Sequence, residues 1–102
     1  MTAAQMVSYA TSRILNSGIS FDIKTTEVKI IYLGQLKSSH FFVMSLSPVD
    51  AVKCVNVKPI QKIVKCLDEI GFIDTHWTRI TEENKYLYFM YIDDKKMIEI
   101  RG

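Results

Sequence analysis

Near the start of the chain, Met6, Val7, Ala10, Ile14 and Leu15 recur at helical spacing and form one apolar stripe. Thr2, followed three residues later by Gln5, is a capping box, in which each side chain satisfies an orphan backbone N–H. Asn16-Ser17-Gly18 supplies the stop, with Gly18 free to take a left-handed conformation. The pattern predicts a helix over about residues 3–16. The period then shortens. Ile19, Phe21 and Ile23 alternate with Ser20 and Asp22, as in a short strand or extended lead-in. Val28–Leu33 and His40–Leu46 are rich in β-branched and aromatic residues and apolar on both faces, which predicts two strands inside a sheet. Residues 34–39 read as the hairpin loop between them.

Ser47-Pro48 is a helix-start signal, so residues 48–55 are expected to form a short helix or turn. Valines at 52, 55 and 57 keep a strand open as an alternative. A clearer helix covers about 59–70, where Ile60, Ile63, Val64, Leu67 and Ile70 form the buried stripe and Lys62, Lys65 and Glu69 face away. Gly71-Phe72 ends it with a C′ glycine and an apolar residue behind. Lys58 near the positive end, and Asp68 and Glu69 near the negative end, oppose the helix dipole. The last third predicts a three-stranded meander over 72–80, 86–92 and 97–101, with loops 81–85 and 93–96. The expected architecture is a single α+β domain over 1–102. It is a two-layer sandwich, an antiparallel sheet of about five or six strands with the two main helices on one face.

Loop lengths in the meander place Ile80 opposite Tyr86 and Ile92 opposite Met97, and alternation then sorts the side chains. One face collects Ile73, Trp77, Leu87, Phe89, Tyr91, Ile98 and Ile100, with Arg79 at its end, and reads as the core face. The other holds Ile80 with Tyr86; Thr78, Tyr88 and Arg101; His76, Met90 and Glu99; Asp74, Ile92 and Met97. Tyr and Met among scattered charges form a composition that protein interfaces favour. This face is the expected contact surface, with His76, Thr78, Tyr86, Tyr88, Met90, Glu99 and Arg101 carrying the contact.

Composition narrows the field without naming a function. The 102 residues are 48% hydrophobic and 24% charged, with four Gly and two Pro, which suits one globular core and excludes disorder. No apolar run approaches a membrane span, and no basic, apolar leader opens the chain, so a cytoplasmic location is expected. Thirteen Lys+Arg against eleven Asp+Glu leave a net charge of +2, too small to draw nucleic acid by long-range attraction. Cys54 and Cys66 read as reduced thiols. With His40 and His76 they reach a zinc ligand count, but no C-x-x-C or H-x₃₋₅-H spacing is present. Ile and Lys, with AT-rich codons, contribute 23 residues against 13 from Arg, Ala, Gly and Pro, which points to an AT-rich genome such as that of a low-GC bacterium, a phage or another virus.

Catalytic chemistry leaves no constellation here. Nothing resembling a nucleophile elbow surrounds Cys54, Cys66, His40 or His76, and Glu82-Glu83 and Asp93-Asp94 read as solvated loop acids. Four glycines give no phosphate-cradling motif. The expectation is therefore a non-enzymatic interaction or regulatory module, without cofactor or metal. It binds another protein or itself, possible as a homodimer, through the outer face of the meander. In a phage or virus it would inhibit or redirect a host factor. The alternative is nucleic-acid binding, through the face of Lys53, Lys58, Lys62 and Lys65 or through stacking on Tyr86 and Tyr88.

Overall fold

The structure is a computed structural model that describes residues 1–17, 27–47, 57–80 and 85–100. The order is α1 (Ala3–Leu15), β1 (Glu27–Leu36), β2 (Ser39–Ser47), α2 (Val57–Ile70), β3 (Ile73–Ile80), β4 (Lys85–Asp93) and α3 (Asp94–Glu99). Every strand pair is antiparallel, and the spatial order is β1-β2-β4-β3. The connection through α2 carries the chain from β2 past β4's place to the far edge, and β4 returns to fill the gap. The fold is α+β. Among the described residues the sheet has four strands rather than five or six. The strand expected over 19–23 and the turn over 48–55 lie outside those residues.

Local chemistry explains the elements that match expectation. Thr2 and Gln5 form the capping box: the Thr2 N–H donates to Gln5 Oε1 at 2.9 Å and the Gln5 N–H donates to Thr2 Oγ1 at 3.2 Å. Met6, Ala10 and Ile14 are fully buried along α1. On α2 the buried stripe is Ile63, Cys66, Leu67 and Ile70, with Val64 half-buried. The helix ends where Gly71 takes φ 122°, and the Phe72 N–H reaches back to the Leu67 carbonyl at 3.1 Å. That is a Schellman closure, with Phe72 buried behind it.

The β1–β2 hairpin is longer than its pattern suggested. A bulge between Tyr32 and Gly34, where Gly34 adopts φ 123°, absorbs an extra residue and lets pairing continue to Leu36↔Ser39. Only Lys37 and Ser38 remain for the turn, with Lys37 at φ 56°.

Two expectations fail at the C-terminal end. Residues 97–100 are not part of a third meander strand, and Arg101, the last residue of the expected strand, lies outside the described residues. Asp93 caps a short helix instead, its carboxylate accepting the Lys95 N–H at 3.0 Å, and the buried Met97 drops into the core from α3. The meander register is also shifted by one. Ile80 pairs with Lys85 and Arg79 with Tyr86, and a bulge between Asp74 and His76 then brings Ile73 opposite Tyr91. A one-residue slip exchanges faces.

The core sits on one side of the sheet. Phe42, Met44 and Leu46 of β2, and Tyr88, Met90 and Ile92 of β4, are buried in a cluster with Met6, Ala10 and Ile14 of α1, Ile63, Leu67 and Ile70 of α2, and Met97 of α3. The expected faces of β4 are therefore inverted. Tyr88 and Met90, assigned to the contact surface, are each 1% exposed beneath the helices. The reason lies in β2, the central neighbour of β4. Pairing sets Met44 against Tyr88 and Phe42 against Met90, which makes one continuous apolar floor for α1 and α2.

Candidate functional site

With the helices gathered on one side, the opposite side of the sheet is the candidate site. Its residues follow from the pairing. Ile31 of β1 lies opposite Val43 of β2, which lies opposite Phe89 of β4. In the next row Phe41 lies opposite Tyr91, which lies opposite Ile73 of β3. Lys29, Ser45 and Leu87 form the third. Alternation puts these on the face away from Phe42, Met44, Tyr88 and Met90. None belongs to the helix-side cluster, and Val43 is 9% exposed.

Exposure across this face is high at its margins. Ile31 is 44% exposed, Ile73 49% and Leu33, the extra residue of the β1 bulge, 53%. Phe41 and Tyr91 hold each other with ring centroids 5.8 Å apart, which keeps the middle rigid. Lys29 is the charged residue within these rows, and alternation adds the positions of Glu27, Lys85 and Asp93 at the ends of the face. Apolar side chains thus run from Ile31 on β1 through Phe41, Val43, Phe89 and Tyr91 to Ile73 on β3.

The expected contact residues scatter. Tyr88 and Met90 are in the core, and Tyr86 is half-buried against it. His76 and Thr78 pair with Phe89 and Leu87, so their backbone positions fall in the rows of the helix-free side. Glu99 is exposed on α3, away from the sheet, and Arg101 lies outside the described residues. Burial of Tyr88 also removes it as a base-stacking platform.

The lysine face is gathered only in part. Lys53 lies outside the described residues, and Lys58 falls in the first turn of α2. Lys62 and Lys65 are exposed and line an open groove of about 510 Å³ between α2 and the end of α1, with Arg13, Asn16, Ser17, Cys66 and Glu69. Arg13 approaches Glu69 at 4.0 Å. Arg13 was absent from the sequence reading because only packing brings α1 to this face of α2.

A third cluster was missed altogether. His40, 5% exposed on β2, is held at both ring nitrogens: Tyr32 Oη lies 2.9 Å from Nδ1, and Asp94 Oδ1 lies 2.7 Å from Nε2. An Asp carboxylate requires Nε2 to carry a proton, so Nδ1 of the neutral ring accepts from the tyrosine hydroxyl. The Asp94 N–H also donates to the Ser38 carbonyl at 2.7 Å. These bonds fasten α3 to the β1–β2 turn, and the Met1 amino group holds its other end by donating to the Met97 carbonyl at 2.9 Å. Tyr32 and His40 belong to one hairpin and Asp94 lies 54 residues beyond His40, so the three act as a clasp between the hairpin and α3.

Among the described residues no group of three His, Cys, Asp or Glu side chains converges as a metal site, and Cys66 is a free, buried thiol. No helix is long and apolar enough to cross a membrane. Comparison with protein-family models, curated proteins and solved structures finds no match.

Proposed function

We propose that the chain is a non-enzymatic interaction module that binds protein through the helix-free face of its sheet. One observation carries this: Ile31, Val43, Phe89, Phe41, Tyr91 and Ile73 form adjoining paired rows on the side away from the helices, with the two edge isoleucines 44% and 49% exposed. Burying such side chains contributes ~25 cal/mol per Å² of apolar surface, the dominant favourable term in association. The contact residues are thus Ile31, Phe41, Val43, Phe89, Tyr91 and Ile73, in place of Tyr88 and Met90. A phage or viral accessory role that redirects a host protein fits such a module.

A photo-crosslinking amino acid at position 73 or 31, with position 15 on α1 as the off-face control, tests this in the native cell. Discrete crosslinked protein adducts from 73 and 31 but not from 15 support the reading. Equal or absent crosslinking at all three contradicts it.

The groove of Arg13, Lys62 and Lys65 supports a second reading, binding to the phosphate backbone of nucleic acid. Three phosphate contacts predict an affinity loss of about 40-fold between ~50 and ~200 mM salt. Binding that ignores salt would exclude it.

A further inference from the structure

Resting on the sheet-face reading above, we infer that the partner of this face is a second copy of the same chain, the two sheets packing face to face into an α-β-β-α sandwich. Three observations point to a copy. By alternation the face is apolar through its middle and carries charged positions of both signs at its ends, Glu27 and Lys29 on β1 and Lys85 and Asp93 on β4, so it has no net sign that a second copy would repel, and an apolar band is complementary to itself. Its extent is sufficient: four strands at ~4.8 Å, paired over about eight residues at ~3.4 Å, give a face of ~500 Å². Two faces then remove ~1,000 Å² or more from water, the threshold for a specific interface. The edges of the sheet are poor competitors for self-pairing, because β1 is bulged at Leu33 and Gly34 and β3 between Asp74 and His76, which breaks the regular row of each edge strand.

Sheets packed this way lie about 10 Å apart with strands within ~30° of alignment, so side chains of both faces interdigitate. In such a dimer Val43 and Phe89 lie at the centre, and Ile31 and Ile73 seal opposite margins.

Sedimentation of the intact chain from ~1 to ~200 µM, at ~50 and ~500 mM salt, tests the inference. The expected result is twice the 11.8 kDa chain mass, unchanged by salt. The double variant Ile31→Lys/Ile73→Lys is expected to weaken self-association ~100-fold or more with an unchanged circular-dichroism spectrum. Leu15→Lys, at a more exposed position (62%) on α1, is expected to remain dimeric. A wild-type monomer throughout the range overturns the second copy, as does a dimer that the double variant leaves intact. Hydroxyl-radical footprinting then separates the two readings. A monomer with Phe41 and Tyr91 readily oxidised keeps the face open for a different protein, whereas a monomer with both protected means the chain covers this face itself, and the sheet-face reading fails too.

Discussion

The two sides of this sheet are built from the same kinds of residue and have opposite fates. On one side Phe42, Met44, Tyr88, Met90 and Ile92 are at most 1% exposed beneath α1, α2 and α3. On the other, Phe41, Leu87, Phe89 and Tyr91 remain half-open, and Ile31 and Ile73 are more exposed still. Apolar composition does not decide which side is the core. The helices decide it, and their stripes match the Phe42–Met44 side. An apolar side that none of the described helices covers is the surface proposed above to take a partner.

Neighbouring phenylalanines break the comparison most severely. Phe42→Ala should cost ~3–5 kcal/mol in urea unfolding, since it empties a fully buried site. Phe41→Ala, measured at dilution where the chain is monomeric, should cost less than half as much. Equal losses would mean that both sides are covered within one chain. The clasp comes next. His40→Ala leaves the Tyr32 hydroxyl and Asp94 carboxylate without their shared partner, a loss of ~1–3 kcal/mol. It should also raise amide exchange in α3 above that in α1. Smallest is Arg13→Ala, because an exposed pair at 4.0 Å contributes within ~0.5 kcal/mol. A larger loss would give the α1–α2 groove a structural role.

Much of the fold was legible because local signals agreed with tertiary need. The Thr2–Gln5 box, the α2 stripe and the Gly71-Phe72 stop each act over four or five residues, and each is found where expected. What escaped was non-local. Residues 86–92 run Tyr-Leu-Tyr-Phe-Met-Tyr-Ile, apolar at every position, so alternation cannot say which set faces the helices. Choosing the Leu87–Phe89–Tyr91 set as core rested on aligning it with Trp77 and with a third strand. The one-residue shift at the loop, Ile80 pairing with Lys85 so that Trp77 meets Tyr88, removed the first support, and α3 removed the second. A helix of six residues spans less than two turns, too short for Met97, Ile98 and Ile100 to show its period. The clasp joins positions 32, 40 and 94, a relation that no window along the chain contains.

Methyl NMR with a soluble paramagnetic probe, followed as the chain is concentrated, puts the central claim to its most direct trial. The methyls of Ile31 and Ile73 should lose their relaxation enhancement with rising concentration, while those of Leu15 and Ile98 keep theirs and Ile30, Ile63 and Ile92 stay protected at every concentration. Enhancement at Ile31 and Ile73 that persists undiminished at the highest concentration would contradict self-association through the bare side of the sheet.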